Sequence, residues 1–423
     1  MPFIFIVIYL VLVLVRPQEY PQWAQAGIPF LPIALITALV AWLPSRHKRF
    51  DEPQYLLLAL FLLVTSLSVA FNGWSGGGLE QFNVFAPTLV AFVLLANSAL
   101  TRKRVVFVIG VFTACAVLLA IHGIKQSATG LGWTGMPLID DGRIQYLGIF
   151  SDPNDLGMLF VICMPMALYL GSRGGLLGLR RLVWLAGAGL LLYGIFLTNS
   201  RGSLLALVVM SGAYLWQRRG PVSALVLAAV CLALLKLVPS RLDQLDVQER
   251  SATGRVEAWY EGMQMFIAHP VWGVGTDRFT EFNELTAHNS LILVLAENGF
   301  IGFFLWFSFL GYCFWMMARI LRHAPELSDD EDVIEWRRDR AIAMTLLVSL
   351  VGYAATAFFL SRSYVMLPYL LSAVVVAHFT AVRERFPDVV PFNLGQDLLR
   401  WLVLACVAVV GFYGLLKVLL AMT

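Results

Sequence analysis

Apolar runs recur from one end of this 423-residue chain to the other, separated by short polar loops. A helix needs about 20 such residues to cross the hydrocarbon of a bilayer, and fewer where neighbours shelter it. Because lipid offers no hydrogen-bond partners, segments of this kind must satisfy their own backbone, which a helix does. The runs lie at Phe3–Val15, Ala24–Leu43, Tyr55–Phe71, Val84–Ala96, Val105–His122, Leu156–Leu170 and Leu182–Thr198. They continue at Ser203–Trp216, Val222–Val238, Ile301–Ile320, Ala341–Leu360, Tyr364–Val382 and Trp401–Ala421. The expectation is an all-α, polytopic helical membrane protein with about 12–13 transmembrane helices, forming a single integral membrane domain over 1–423. The first run lacks a basic leader and a small-residue cleavage site, so it reads as a retained helix. No period of 20–50 residues repeats, which argues against a solenoid.

Composition narrows the functional classes. Hydrophobic residues make up 59% of the chain and charged residues 13%, against about 45–50% and about 25% in soluble domains. That excludes a cytosolic enzyme, a nucleic-acid-binding protein and a disordered chain. The formal net charge of +3 is too small to imply a polyanionic partner. Cys115, Cys163, Cys231, Cys313 and Cys406 all fall within apolar runs and read as small buried or lipid-facing side chains, not disulfides or metal ligands.

The loops alternate in charge. Ser45–Phe50, Thr101–Arg104, Ser172–Arg181, Gln217–Gly220, Arg322–Arg340 and Arg383–Arg400 hold most of the 30 Lys and Arg residues. Positive loops favour the cytoplasm, so the amino terminus is expected inside and, with thirteen spans, the carboxyl terminus outside. The opposite loops are longer and more polar: Gly123–Asp155, the Asn199–Ser203 turn and the extracytoplasmic loop 239–289. Loops longer than about 12–15 residues are usually functional. Function is therefore expected on the outer face. The glycines within Lys125–Arg143 suggest a lid there.

Within 239–289 an amphipathic helix is predicted from Val256, Trp259, Tyr260, Met263, Phe266 and Ile267, which form one apolar stripe. Thr253 reads as its cap, with Pro270 and Gly273 ending it. Arg255 would then sit in its first turn, where free N–H groups already favour an anion. Arg201, in Asn199-Ser200-Arg201-Gly202-Ser203, occupies the same kind of position at the start of the next-but-one preceding span. Two arginines beside two helix starts would suit a diphosphate; snorkelling to headgroups is the simpler alternative. Arg143, Arg278 and Arg362 are further outer-face cations.

His288 stands where the outer loop re-enters the bilayer, in Ala287-His288-Asn289-Ser290. A histidine tuned near neutrality can take a proton from a hydroxyl, although a lone His is more often structural. His269 reads as helix-terminal, and His47 and His323 as residues of the basic loops. The cluster Ser151-Asp152-Pro153-Asn154-Asp155 reads first as a capped turn, with sugar orientation as the alternative; Asp152, Asn154 and Asn289 are candidate substrate contacts. There is no GxxxxGK[ST] loop, HExxH or CxxC, and no cofactor or metal is expected. Glu297 is the one carboxylate flanked by apolar sequence, which weakens a coupled-transporter reading.

Several motifs in order carry a family resemblance. Gly148-Ile149-Phe150-Ser151-Asp152-Pro153-Asn154, Thr198-Asn199-Ser200-Arg201-Gly202 and Gly254-Arg255 with Trp259 resemble the O-antigen ligase and polymerase superfamily. So do Gly273-Val274-Gly275, Ala287-His288-Asn289-Ser290 and Glu297-Asn298-Gly299-Phe300-Ile301-Gly302. The similarity is concentrated in Arg143–Phe303. One departure is Ser151-Asp152, where many relatives carry Gly-Asn.

The resemblance implies an inverting, metal-independent glycosyltransferase in the bacterial inner membrane, with its site facing the periplasm or exterior. The donor would be an undecaprenyl diphosphate-linked glycan and the acceptor a hydroxyl of a sugar or of lipid A-core. Arg201 and Arg255 would hold the diphosphate, and His288 would activate the acceptor. A repeat-unit polymerase and a protein O-glycosylating variant share this donor chemistry. A lipid or polysaccharide transporter is the rival from another class.

Overall fold

The computed structural model describes residues 1–423 except 26, 47, 140–141, 174, 176–177, 238–244, 324, 326–328 and 423; for 231–237, 245–253 and 422 it describes the backbone alone. The expectations for His47 and for the side chains of Cys231, Lys236 and Thr253 lie outside the described residues.

The helices follow in the order α1 (Pro2–Val15), α2 (Pro21–Ala24), α3 (Phe30–Trp42), α4 (Pro53–Phe71), α5 (Ser75–Ser98) and α6 (Arg102–Thr129). Next come α7 (Pro153–Gly171), α8 (Leu179–Leu197), α9 (Arg201–Arg219), α10 (Pro221–Leu237), α11 (Leu245–Ala268) and α12 (Phe279–Phe282). The chain closes with α13 (Ser290–Arg322), α14 (Asp330–Ala357), α15 (Met366–Arg385) and α16 (Leu394–Met422). Among the described residues there is no strand beyond isolated bridges such as Leu131–Pro137. The protein is a polytopic helical membrane protein. Nine helices among the described residues are long and apolar enough to cross a bilayer, and α1, α3 and the start of α10 are shorter apolar helices. With α9, whose polar ends at Arg201 and Gln217–Arg219 lower its hydropathy, every run read from the sequence holds a helix among the described residues, although α3 starts at Phe30 and not at the expected Ala24.

Several helices outgrow their apolar runs. α14 starts at Asp330, capped by Asp329, whose side chain accepts from the Asp332 amide. Much of the expected loop Arg322–Arg340 is therefore helical. α13 starts at Ser290, eleven residues before the expected Ile301, because Asn289 caps it there and the sequence stays apolar from Leu291 to Ala296. Three acidic residues, Asp339 and Glu335 of α14 and Glu52 before α4, pair with arginines along the basic end of the bundle: Arg385 with Asp339 at 2.9 Å, Arg383 with Glu52, and Arg102 with Glu335.

α7 and α15 are the central helices: 83% and 89% of their most apolar windows are buried, against 28% for α8 and 11% for α16. Small residues let the backbones close up, as is common between membrane helices. A Cβ at Gly352 on α14 would lie 2.9 Å from Val161 of α7, and one at Gly194 on α8 would lie 2.9 Å from Phe160. One at Gly157 would run into Ser203, so α7 meets α9 at its first turns. That approach sets the distance between two of the helix starts that form the site.

α13 is broken at Gly299, which has φ 61 and ψ −164. A Cβ at that position would run into the Val271 carbonyl, so glycine alone fits. The carbonyls the break frees are not left bare in the bilayer. Ala296 O accepts from Val274 N at 2.9 Å and Glu297 O from Gly275 N at 3.0 Å, while Phe300 N donates to Pro270 O at 2.8 Å. Ser68 Oγ of α4 lies 2.6 Å from Glu297 O and 2.7 Å from Trp272 O. The Phe279 amide donates to Glu297 Oε1 at 3.1 Å. Buried polar groups persist when partnered, and here the partners come from the loop after α11. The break thus clamps that loop into the bundle.

The amphipathic helix exists, with two corrections. α11 begins at Leu245, so Thr253 is interior and not a cap, and Arg255 lies well past the first turn. The stretch from Gln248 to Ala252 contains good helix formers and no Gly or Pro, so nothing stops the helix there. Its inner face is Ala258, Trp259, Gly262, Met263 and Met265, while Ile267 is 53% exposed. Trp259 packs edge-on to Phe358 (5.5 Å) and Phe412 (5.6 Å), binding α11 to α16 and the α14 end. A Cβ at Gly262 would lie 2.5 Å from Ile292 and 2.9 Å from Phe279, so α11 presses directly on α13.

Candidate active site

The helices α7, α9, α13 and α15 all begin at one end of the bundle, opposite the basic loops. Side-chain bonds tie these starts together. Arg143, from the α6–α7 loop, donates to Thr198 O at 2.9 Å and to Asn154 Oδ1 at 3.1 Å. Arg362, before α15, donates from Nε to Asp155 Oδ1 of α7 at 2.7 Å, and its amide donates to Ser290 Oγ of α13 at 3.0 Å. Ser290 Oγ in turn donates to Leu360 O at 2.6 Å. Four helix starts converging on one patch make a field that favours an anion.

Two of the starts share an unusual backbone. Asn199 (φ 51) and His288 (φ 46) are non-glycine residues in the left-handed region, each one position before an N-cap. Ser200 then caps α9, its hydroxyl accepting from Ser203 N at 3.3 Å. Asn289 caps α13, accepting from the amides of Leu291 (2.9 Å) and Ile292 (3.1 Å). A left-handed non-glycine residue costs of order 1–3 kcal/mol, and such strain clusters at functional sites. Buried Ala287 on one side of His288 and the cap on the other enforce it.

The residues singled out from the sequence fall as follows. Arg201 is the first residue of α9 and is exposed. Arg255 is half-buried on α11, and its pKa is lowered by burial and then by the charge of Arg201. His288 is half-buried; burial lowers its pKa, Arg255 and Arg362 lower it further, and Asp152 opposes them. These residues come from separate elements, and Arg255 acts electrostatically on His288 and feels the charge of Arg201, so it stands between the other two. Asp152 caps α7, its Oδ1 accepting from the Asn154 amide at 2.7 Å and from Asn154 Nδ2 at 2.9 Å. Asn154 therefore bridges Asp152 to Arg143. Asn289 is fully buried, and its Nδ2 donates to Phe358 O at 3.0 Å while its Oδ1 serves the cap. Its side chain thereby ties the start of α13 to the end of α14.

Sequence reading left Arg362 as one cation among several. The structure makes it the link between α7, α13 and α15, which only its partners reveal. Thr286 Oγ1 to Ser361 Oγ at 2.9 Å closes the same seam. The expected lid is pinned down: Gln126 Nε2 of α6 donates to Met136 O and Pro137 O at 2.9 Å, and its Oε1 accepts from the Gln145 amide at 2.9 Å. His122 of α6 also meets Thr134 at 3.0 Å.

Fold and site together define a polytopic membrane protein with a cationic, histidine-bearing patch where helix starts converge. Residues 186–307 match the family model described as O-antigen ligase, and residues 1–174 match a family of unknown function. The first match spans Arg201, Arg255, His288 and the Gly299 break, and it supports the likeness to the O-antigen ligase and polymerase superfamily. No curated protein matches the chain.

Proposed function

We propose that this protein is an inverting glycosyltransferase that moves a glycan from a polyprenyl diphosphate, undecaprenyl diphosphate in bacteria, to an acceptor hydroxyl. The observation that carries the reading is the gathering of Arg201, Arg255 and His288 from three separate elements at one end of the bundle. The acceptor oxygen attacks the anomeric carbon as the bond from that carbon to the diphosphate oxygen breaks. The bonding pair leaves with the diphosphate, and the acceptor proton passes to a ring nitrogen of His288. A depressed pKa keeps His288 neutral at neutral pH, the form able to accept that proton. Arg201 and Arg255 repel each other when the site is empty, and a diphosphate between them removes the repulsion. The charge they meet grows as the leaving group departs, so their interaction strengthens in the transition state. Two guanidinium groups supply the counter-charge without a metal. Asp152, beside His288, orients the acceptor sugar or the imidazolium.

Positive loops favour the cytoplasm, which supports a site facing the periplasm or exterior of the inner membrane. The partners on this reading are the lipid-linked glycan, an acceptor such as lipid A-core or a growing chain, and the surrounding lipids.

The test is release of undecaprenyl diphosphate from a lipid-linked glycan by purified protein in liposomes, with chelator present. Release by wild type and its loss in His288→Ala is the expected result. A ladder of products then indicates repeat-unit polymerisation, and a single transfer indicates ligation. Wild-type protein that moves the glycan across the bilayer with no bond formed overturns the proposal in favour of transport.

A further inference from the structure

At the basic end of the bundle, far from the helix starts just described, two cavities adjoin. The first, about 600 Å3, is lined by Arg102, Lys103, Val106, Arg173, Arg180 and Arg338. The second, about 460 Å3, is an apolar slot between α7, α9, α10 and α14, lined among others by Leu168, Met210, Leu227, Met344 and Val348. Tyr169 and Ser172 line the slot, and Arg173, which lines the basic cavity, stacks on the Tyr169 ring at 4.8 Å. On the other side of the slot Arg218 lies 5.7 Å from the Tyr214 ring. The slot is accessible to lipid, since Leu168 and Tyr214 keep 49% and 42% of their surface.

The charge of the first cavity is largely uncompensated. Glu335 pairs with Arg102 and with Arg338, the latter at 2.8 Å. Among the described residues no carboxylate pairs with Lys103, Arg173 or Arg180, and no acidic residue lines the cavity. Basic loops alone explain positive charge on this face. They do not explain a concave arrangement of five cations beside an apolar slot, with an Arg–Tyr pair on each side of its mouth. Aromatic rings and arginines at headgroup depth, above a cleft of chain width, form an amphiphile-shaped site.

We propose that an anionic phospholipid of the leaflet on this face binds here, its phosphate among Arg102, Lys103, Arg173 and Arg180 and one acyl chain in the slot. The lipid joins α6, α7, α9, α10 and α14, and so braces α10, which otherwise packs chiefly on α9. Nothing in this proposal depends on the reaction at the opposite face.

The experiment is native mass spectrometry of the purified full chain titrated with phosphatidylglycerol or phosphatidylcholine, with melting temperature measured in parallel. Wild type should retain phosphatidylglycerol about tenfold or more over phosphatidylcholine, because clustered cations favour an anionic headgroup. The double variant Arg173→Gln/Arg180→Gln should lose that preference, and Ser211→Trp, at the exposed lip of the slot, should lower retention of both lipids. Both variants should keep the wild-type melting temperature in lipid-free detergent, and phosphatidylglycerol should raise it only in wild type. Equal retention of the two lipids by wild type, or unchanged preference in the double variant, overturns the proposal. Stabilisation by glycerol 1-phosphate equal to that by phosphatidylglycerol also overturns it, because the site would then take a soluble anion. If one variant melts early, the other still decides.

Discussion

Arg362 Nε sits 2.7 Å from Asp155 Oδ1, joining the loop before α15 to the first turn of α7 across 207 residues of sequence. The carboxylate side chain is 4% exposed and the guanidinium 33%, so the pair is largely shielded from water. Through its amide the same arginine holds Ser290 at the start of α13. One residue thus fixes the mutual placement of three of the helix starts that form the site.

Asp155→Asn should therefore destabilise the protein by about 1–3 kcal/mol, the cost of leaving a part-buried charged donor without its acceptor. Arg362→Met in the same chain should recover part of the loss, because removing both partners costs less than stranding one. Thermal denaturation in detergent of the two single variants and the double variant reads this directly. Losses in the two single variants that simply add in the double variant would show that the pair is not coupled.

The pH dependence of turnover follows from the depressed pKa of His288. Burial and the neighbouring Arg255 charge disfavour the protonated ring, so the neutral base is the prevailing form above its lowered pKa. Activity should be flat through neutrality and fall only as pH drops below the ordinary histidine value of about 6.5. Arg255→Gln removes one of the depressing charges, so the acid limb of its residual activity should move to higher pH. A limb that stays in place, or moves to lower pH, would contradict the assignment of His288 as the base.

Replacing either arginine of the pair should slow glycan release by about 10²–10³-fold, the usual cost of removing one donor to a developing anion. Lysine should restore only part of this at Arg201 or Arg255, since an ammonium lacks the planar fork that matches a diphosphate. The comparison to make is single-turnover rate with saturating donor. A loss confined to donor affinity, with the rate intact, would limit the arginines to ground-state binding.

Gly262→Val tests whether α11 must lie against α13 for the site to form. The added side chain would meet Ile292 and Phe279, and overpacking of this kind costs about 1–3 kcal/mol. Because Arg255 rides on the same helix, turnover should fall more steeply than melting temperature. Gly262→Ala should be intermediate in both. Normal turnover in Gly262→Val would show that the position of α11 is irrelevant to catalysis.

The helices were legible in the sequence because the signal for a membrane span is local. An α-helix satisfies its backbone within the segment, so twenty apolar residues state their own conformation. The motif residues Arg201, Arg255 and His288 were legible for a related reason, being polar groups with chemical capacity placed next to such segments. Local signals ended there. That Thr253 and Arg255 lie inside α11 depended on where the helix begins, and a polar stretch of good helix formers gives no boundary of its own. Asn289 reads from the sequence as a candidate substrate contact and Glu297 as a lone carboxylate flanked by apolar residues. Their hydrogen bonds show them as a cap for α13 and a clasp for the loop that follows α11. The roles of Arg362 and Asp155, and the meeting of Arg201, Arg255 and His288, were decided by tertiary structure alone. These groups are brought together by helix packing at Gly157, Gly262 and Gly352, and such packing depends on how two surfaces fit, which neither segment encodes by itself.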